Sequence, residues 1–410
     1  MRAIERFLHY ATVHTTSDSN SKTTPSTGIQ FDLANGLVNE LHLMGIDNAF
    51  VDDRCYVYAC IPATPGYEAV PRIGFIAHMD TTDDYNGKNV RPQIHENYDG
   101  GDVPLGNSGK VLRVSDFPTL KSLKGRTLIT TDGTTLLGAD DKAGVAEIMT
   151  IAEELINSPL PHGKVCIGFT PDEEVGRGAD YFDVERFGAD FAYTLDGSIE
   201  GEVVHENFNA ADCTFEIHGV SVHPGKAKNI MVNALLVAME INGMLPSADI
   251  PRHTQDYEGF FHLTHMQGCV EHATLDYIIR DHDAAIFEAR LHTLQHIADI
   301  INEHYGQGTV ILTIRRQYRN MAEIIEQHRD IVDTAVRVTK ELGIPVHQVP
   351  IRGGTDGSRL SFMGLPCPNL GTGGFAFHGP FEHITAEGMD SAVAIAVGIV
   401  REYAGRSEHK

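Results

Sequence analysis

The chain has 410 residues, which is more than one hydrophobic core usually organises, so its length predicts two domains. Its net charge of −24, from 56 acidic and 32 basic residues, argues against nucleic-acid and anionic-membrane partners, because a field of that sign repels phosphates. No apolar run approaches the roughly 18 residues that a transmembrane helix needs. The six cysteines include no C-x-x-C pair, as is typical of free thiols in a reducing compartment. We therefore expect a cytoplasmic protein.

Short apolar runs alternate with helical patterns over the first half of the chain. Arg72–His78, Lys164–Thr170 and Phe191–Leu195 have the composition of buried strands, and Lys142–Ile156 has helical periodicity. This alternation predicts an α/β sheet with helices on its faces. The segment Asn86–Asp116 is rich in Gly, Asn and Asp and has no period, so we expect a long functional loop there.

The pattern changes between about Ala211 and Arg319. There it predicts strand, helix, strand, strand, helix and strand, the βαββαβ order of a ferredoxin-like fold. The predicted strands and helices of this part are Asp212–His218, Met231–Leu245, Gly259–Met266, Cys269–Arg280, a helix with Phe287, Leu291, Leu294, Ala298, Ile301 and Tyr305 on one face, and Thr309–Arg316. The α/β pattern resumes after Met321, with helices near 325–342 and 389–404. We expect a catalytic α/β domain of residues 1–209 and 321–410, and an inserted domain of residues 210–320.

Four short acidic motifs occur where strands are expected to end, which is where open α/β sheets place their ligand sites. They are His78-Met79-Asp80, Ala139-Asp140-Asp141-Lys142, Asp172-Glu173-Glu174 and Leu195-Asp196-Gly197. A histidine close to an aspartate suits a metal ligand oriented by a carboxylate, although taken alone it is also typical of a structural histidine. Either Asp140 or Asp141 can cap the following helix, which leaves the other free to bind a cation. The three consecutive acids repel one another unless a cation or a proton holds them, or they form a solvated loop.

A fifth motif lies near the C-terminus. The Gly-rich stretch Gly371–Glu382 contains His378, with Glu382 four residues later. Together the five motifs supply two histidines and at least three carboxylates from separate strand ends of one sheet. Nitrogen and oxygen donors in this mixture suit zinc, or cobalt or manganese in its place.

In their order along the chain, the motifs His-x-Asp, Ala-Asp-Asp-Lys, Asp-Glu-Glu-x-Gly, Leu-Asp-Gly and a late His-x-x-x-Glu resemble those of the peptidase M20 family. Four further stretches resemble the tripeptide aminopeptidases of that family: Asn97–Asp102, Gly176–Asp180, Ile279–His282 and Ile351–Gly357. The similarity covers essentially the whole chain. It implies a zinc-exopeptidase-like catalytic domain, an inserted ferredoxin-like domain that serves as lid and dimerisation domain, and a homodimer formed through that insert. The implied reaction removes the N-terminal residue from tripeptides.

The resemblance also implies two zinc ions per subunit, with Co²⁺ or Mn²⁺ as substitutes. Five residues would bind them: His78 and Asp196 at one ion, Glu174 and His378 at the other, and Asp140 at both. Asp80 would orient His78, and Glu173 would be the general base and then the general acid. The family often has a cis peptide bond after the bridging aspartate, here between Asp140 and Asp141.

Three residues match positions that contact substrate in the family. His223 would donate to the oxyanion from the lid, unless it is an ordinary surface histidine. Arg280 and Arg352 would hold a substrate carboxylate, since the planar guanidinium binds carboxylates bidentately, unless each forms a structural ion pair.

His383 and His347 are rival histidines for the late ligand. His383 lies five residues after His378, where the family pattern has no histidine. We prefer His378 because it follows the Gly-rich turn and keeps Glu382 at the spacing of the family motif.

Two alternatives stay open at this point. Another M20 hydrolase, such as a dipeptidase, a carboxypeptidase or an N-acyl-amino-acid deacylase, would share the metal centre and differ in the pocket. A catalytically dead peptide-binding protein on the same fold would lack the base or one ligand. Every expected position is occupied, including Glu173, which argues against the second alternative.

Overall fold

A computed structural model describes residues 1–407 of the chain. The helices, in chain order, are α1 (Ala3–Tyr10), α2 (Gln30–Leu43), α3 (Ala139–Asn157), α4 (Val184–Phe187), α5 (Ala234–Met244), α6 (Ala284–Tyr305), α7 (Ala322–Ile325), α8 (Arg329–Glu341), α9 (Asp356–Phe362) and α10 (Ala386–Ser407). Within this range no helix combines the length and the apolar character that crossing a membrane would require.

The strands are β1 (Phe50–Val51), β2 (Val57–Ile61), β3 (Ile73–His78), β4 (Gln93–His95), β5 (Val103–Pro104), β6 (Val111–Leu112), β7 (Leu128–Thr130), β8 (Val165–Thr170), β9 (Phe191–Gly197), β10 (Val203–Val204), β11 (Asn209–His218), β12 (Phe260–Gly268), β13 (His272–Asp281), β14 (Val310–Tyr318), β15 (Asn369–Gly371), β16 (Gly374–Phe375) and β17 (His383–Thr385). The strands predicted at Arg72–His78, Lys164–Thr170 and Phe191–Leu195 are β3, β8 and β9. Each is found within two residues of its predicted bounds.

The chain divides into two compact units. Unit 1 contains Met1–His205, Glu323–Val349 and the described chain from Thr355 onward, and unit 2 contains Glu206–Ala322 and Pro350–Gly354. Unit 2 is therefore made of two stretches of sequence. The domain boundaries predicted at residues 209/210 and 320/321 stay a prediction, because compactness does not by itself define an independent domain.

The main sheet of unit 1 has seven strands in the order β1-β2-β8-β3-β9-β15-β10. The four central strands, β8, β3, β9 and β15, run parallel to one another, whereas β1, β2 and β10 pair antiparallel. Every residue of β3 and β8 is buried, as expected for central strands covered on both faces. Helix α3 packs on β3 and β9, and α1 and α10 pack on α3. Because β3, β8 and β9 run parallel side by side, their carboxyl ends meet at one edge of the sheet.

The segment predicted as a long loop contains regular structure, so that part of the prediction is wrong. Strand β4 joins the antiparallel sheet β16-β17-β7-β4, and β5 pairs with β6. A small apolar cluster that includes Tyr98, Leu105 and Leu112 holds the segment in place. The three strands have only two or three residues each, too few for a periodic pattern to be visible in the sequence.

Unit 2 is an antiparallel sheet in the order β12-β13-β11-β14, packed against α5 and α6. Its elements follow one another as βαββαβ, and this connection with this strand order is the ferredoxin-like arrangement. Strands β11 and β13 alternate buried and less buried residues. One face of the sheet therefore packs against α5 and α6, and the other face is open to solvent. The predicted fold class, an α/β catalytic domain with a ferredoxin-like insert, is confirmed.

Candidate metal centre

Acidic and imidazole side chains meet at the carboxyl edge of the main sheet of unit 1. His78 is the last residue of β3, Asp196 lies near the end of β9, and Glu173 and Glu174 follow β8. Asp140 reaches the same place from the first turn of α3. The strand-end motifs converge because the strands that carry them are parallel neighbours.

Two histidines approach the two oxygens of Asp140. His78 Nε2 lies 2.9 Å from Asp140 Oδ1 and 3.4 Å from Asp196 Oδ1. His378 Nε2 lies 3.3 Å from Asp140 Oδ2 and 3.1 Å from Glu174 Oε2. Asp140 therefore stands between two sets of donors, which is the arrangement that a carboxylate shared by two cations requires.

In the described part of unit 1, two groups of three donors have ligand atoms within 4.8 Å of one another: His78, Asp141 and Asp196, and His78, Asp140 and Glu174. The Asp141 carboxylate already accepts the backbone N–H of His78 at 3.1 Å and that of Gly144 at 3.2 Å. Asp141 therefore caps α3 and fixes β3, which leaves Asp140 as the candidate ligand; the sequence had left this choice open. The Asp140–Asp141 peptide bond is cis, as the resemblance implied.

Asp80 holds two of the functional segments at once. Its buried carboxylate lies 3.4 Å from His78 Nδ1 and accepts the backbone N–H groups of Glu173 at 3.0 Å and Glu174 at 3.2 Å. His78 Nδ1 also lies 3.1 Å from the backbone carbonyl oxygen of Asp80. With Nδ1 engaged by Asp80 in this way, the Nε2 atom of His78 is directed to the cluster. Glu173 Oε2 lies 4.0 Å from His78 Nε2, beside the candidate ligands.

Burial and mutual repulsion dominate the electrostatics of the cluster. Burial raises the pKa of Glu173 well above its ordinary value, raises that of Asp196, and raises that of Glu174 to about 7. Burial alone would also raise the pKa of Asp140, but hydrogen bonds from His378 and His78 hold it well below its ordinary value. Carboxylates crowded in this way need compensating positive charge, from protons or from metal ions.

Glu382 anchors the loop that leads to Asp140. Its buried carboxylate accepts the backbone N–H groups of Leu137 at 2.7 Å, Gly138 at 2.9 Å and Asp140 at 3.1 Å. Glu382 stands out in the sequence by its spacing from His378, which does not indicate a function. In the structure it positions the backbone of Asp140.

The two histidines of the late motif have different surroundings. His378 lies in the cluster, whereas His383 is buried on β17, stacked on Phe375 with ring centroids 5.1 Å apart. His383 Nδ1 lies 2.8 Å from Phe381 O, and burial lowers the pKa of His383 to about 4. The arrangement favours His378 as the ligand. The other rival, His347, lies beside Glu202 in an isolated β-bridge, and its backbone N–H bonds to Gly201 O at 3.0 Å.

Two further buried aspartates, to which the sequence analysis gave no function, hold the loop that carries Glu173. Asp172 accepts the backbone N–H of Ser26, just before α2, and Asp356, at the start of α9, accepts the hydroxyl of Thr170 at 2.8 Å. Burial raises the pKa of Asp356 to about 7. No sequence signal links these residues, because their partners are distant along the chain.

The remaining predicted site residues, His223, Arg280 and Arg352, belong to unit 2. His223 is exposed, and its Nδ1 accepts the backbone N–H of Gly225 at 3.1 Å. Both guanidinium groups donate to backbone carbonyls of unit 2. Within residues 1–407 neither arginine is paired with a carboxylate, so the structural ion pair considered from sequence is not observed. Their roles toward substrate stay predictions.

Comparison with known proteins finds relatives over almost the whole chain. The family model M20_dimer, a peptidase dimerisation domain, matches residues 205–309. Peptidase T of Caldanaerobacter subterraneus subsp. tengcongensis is 52% identical, covering 98% of this chain and 98% of the relative, and peptidase T of Geobacillus kaustophilus is 52% identical, covering 97% of each. Among solved structures, aminopeptidase PepT from Bacillus cereus has a TM-score of 0.79 at 23% identity, covering 98% of each chain. A tripeptidase from Staphylococcus aureus has a TM-score of 0.77 at 21% identity with the same coverage. These structures share the fold of this chain.

Proposed function

The chain belongs to the peptidase T family of tripeptide aminopeptidases, and we propose that its reaction depends on two divalent metal ions held by unit 1. The function and the enzyme class predicted from sequence are confirmed by this membership. The observation that carries the metal proposal is the position of Asp140, whose two oxygens face His78 and His378 at 2.9 and 3.3 Å.

The donor set fits two ions. His78, Asp140 and Asp196 would hold one, and Asp140, Glu174 and His378 the other. Imidazole nitrogens mixed with carboxylates suit zinc, or cobalt or manganese, better than magnesium or calcium, which prefer oxygen donors. The crowded carboxylates support this proposal, because divalent cations offset their repulsion. Such a metal pair, when bound, supplies an acidified water and a Lewis acid at neutral pH.

Glu173 would move the protons of the reaction. It stands beside the donors at 4.0 Å from His78 Nε2, close enough to face the attacking water. We propose that it takes the proton of that water and returns one to the leaving amine. Burial raises the pKa of Glu173 well above its ordinary value, which favours acceptance of a proton. Asp80 positions it by accepting its backbone N–H.

Unit 2 would bind the substrate. Arg280 and Arg352 have guanidinium groups without a carboxylate partner in the described chain, and a tripeptide ends in a carboxylate that such groups bind well. His223 would donate to the oxyanion that forms on the attacked carbonyl. The acidic cluster of unit 1 suits the cationic amino end. The free amino group is therefore required for cleavage.

We further propose a homodimer formed through unit 2, which the match to a peptidase dimerisation domain supports. Strands β12 and β14 are the edges of its sheet and offer unpaired backbone groups to a second copy. In a symmetric dimer His223 would serve the partner's site.

Mixing two inactive variants, His223→Ala and Glu173→Gln, after dissociation and reassembly tests this arrangement. About half of the dimers should be mixed, with one complete site each, so activity should recover to about a quarter of the wild type. No recovery would place His223 in its own chain's site, and a monomer in solution would exclude the dimer.

We also propose that the enzyme works in the cytoplasm. All six cysteines are free thiols, and four of them are buried. Thiols of this kind are typical of proteins in a reducing compartment.

The metal-loaded protein should be assayed by mass spectrometry on a tripeptide, the matching dipeptide and the acetylated tripeptide. We expect release of the N-terminal residue from the tripeptide only. Chelation should abolish it and Zn²⁺ or Co²⁺ should restore it. Rapid cleavage of the acetylated tripeptide would favour a carboxypeptidase or a deacylase, and no turnover of any peptide would favour a peptide-binding protein.

A further inference from the structure

Three metal-binding side chains lie together on the open face of the sheet of unit 2. Glu216 and His218 are on β11, and His272 is the first residue of β13. One donor atom of each lies within 4.8 Å of the other two. The side chains are 46%, 44% and 47% exposed, so a cation in solvent can reach them. This group shares no residue with the centre in unit 1.

The strand geometry brings these side chains together. Glu216 and His218 are two residues apart on one strand, so they point to the same face. His218 is paired with His272 across β11 and β13. The next residue, Gly219, donates its N–H to Glu271 O at 2.8 Å, so the His218–His272 pair is of the non-hydrogen-bonded kind, in which side chains approach most closely.

We propose that Glu216, His218 and His272 bind one divalent transition-metal ion, with zinc as the preferred ion. Glu216 Oε1 lies 3.5 Å from His218 Nε2 and 3.4 Å from His272 Nε2. Two ligands about 2.1 Å from a tetrahedral zinc ion are about 3.4 Å apart, so Glu216 is already at the required separation from each histidine. The two histidine nitrogens lie within 4.8 Å of each other. Two imidazoles and one carboxylate also suit copper, nickel and cobalt, whereas magnesium and calcium prefer oxygen donors.

The distances favour a shared cation over two ion pairs. A carboxylate that pairs with a protonated imidazole forms a short bond of about 2.7–2.9 Å. Here one oxygen is nearly equidistant from two imidazole nitrogens and is in a short bond with neither. The acidic chain, with a net charge of −24, also attracts divalent cations to its surface. A bound ion would link β11 to β13 and stabilise unit 2, because it binds the folded sheet only.

The number of bound ions per chain tests the proposal. Full-length wild-type protein and the variants Glu216→Gln, His218→Gln and His272→Gln are dialysed to equilibrium against zinc, and the metal is counted by elemental analysis. We expect each variant to hold one ion fewer than the wild type, with unchanged peptidase activity. The control is His265→Gln, an exposed histidine on β12 of the same sheet, which should match the wild type. Magnesium should not bind at this group.

Titration calorimetry of the same proteins should show a zinc-binding step in the wild type and the control that is at least about tenfold weaker in the three variants. Equal ion counts in the wild type and all variants would overturn the proposal. An equal loss in the control would also overturn it, since it would indicate binding to histidines in general. The test does not depend on the metal proposal for unit 1: if unit 1 held none, the counts should be one ion in the wild type and none in the variants. Circular dichroism confirms that each variant is folded.

Discussion

The chain carries two groups of histidine and carboxylate side chains, a largely buried one in unit 1 and an exposed one on unit 2. In unit 1 four of the five proposed donors are largely buried, whereas His378 is 41% exposed. Asp80 and Glu382 fix the backbone beside these donors, and burial raises the pKa of Glu173 well above its ordinary value. On unit 2 the donors project directly from two strands into solvent. If both metal proposals hold, donor type is enough for binding a metal, whereas burial and supporting hydrogen bonds are needed for acid–base chemistry.

If the donor group of unit 1 is the centre of the reaction, replacing Glu173 should remove most of the activity. Glu173→Gln should lower kcat by about a hundredfold or more while metal content stays the same, because the amide cannot accept a proton. Peptide turnover and elemental analysis of the same sample measure both quantities. Glu185→Gln on the surface of α4 should leave them unchanged. Near-normal turnover by the Glu173 variant would remove this residue as the base.

The supporting role of Glu382 can be tested in the same way. In Glu382→Gln the amide nitrogen turns a donor toward backbone N–H groups, so the loop that carries Asp140 should loosen. We expect metal affinity at the buried group to fall by about tenfold to a hundredfold, with a matching loss of activity at limiting zinc. Zinc titration of activity measures it, with the exposed Glu341→Gln as control. An unchanged titration curve would mean that Asp140 does not depend on Glu382.

If unit 2 binds the substrate, its arginines should affect recognition of the free carboxylate. Arg280→Gln and Arg352→Gln should each lower kcat/KM for a tripeptide by about tenfold, because each loses about one charge-assisted hydrogen bond to the substrate carboxylate. The same variants should change kcat/KM for the tripeptide amide little. Arg315→Gln, at an exposed arginine of β14, is the control. An equal loss on both substrates would indicate a structural role.

His383 should have little influence on activity but a measurable one on stability. Its pKa is about 4 in the folded chain, below the ordinary value of about 6.5, because burial favours the neutral ring. Between these values the unfolded chain binds a proton that the folded chain does not, so stability should fall as pH decreases from 6.5 to 4. The full difference is about 3 kcal/mol.

His383→Asn, which keeps a donor for Phe381 O, should reduce this slope. Denaturant unfolding of chelated protein at several pH values measures it, with wild type as the reference. Equal slopes in both proteins would show that His383 is not the group responsible.

The candidate centre was largely predictable because its residues follow strands with strong apolar patterns. His78 and Asp196 come at the ends of such strands, and parallel neighbours bring those ends together. The supporting residues were not predictable. Glu382 accepts N–H groups more than 240 residues away along the chain. Because these donors are backbone groups, the identity of the residues that carry them does not indicate the contact. The pair Glu216 and His218 was also not predicted. Two donors on alternate residues of one strand do not make a metal site, and the third donor, His272, comes close only when β13 is paired with β11.

The fold was predictable where elements are long and was missed where they are short. The βαββαβ order of unit 2 followed from strands of nine or ten residues and a helix of 22. Strands of two or three residues between Asn86 and Asp116 are too short to show a period in the sequence. The helix predicted near 325–342 is α8, which begins four residues later than predicted because a 3₁₀ turn at Glu326–His328 precedes it.

The short segment Pro350–Gly354 has a consequence for how the chain is synthesised. Ile351 donates its N–H to Glu206 O at 2.9 Å, and Arg352 donates to two carbonyls of the same unit. When the growing chain has reached residue 322, unit 2 is therefore still incomplete, because residues 350–354 have not been added. The unit is complete only after residue 354 has left the exit tunnel, by which time most of unit 1 has also emerged. A fragment that ends at residue 322 would expose the carbonyls that Arg352 covers.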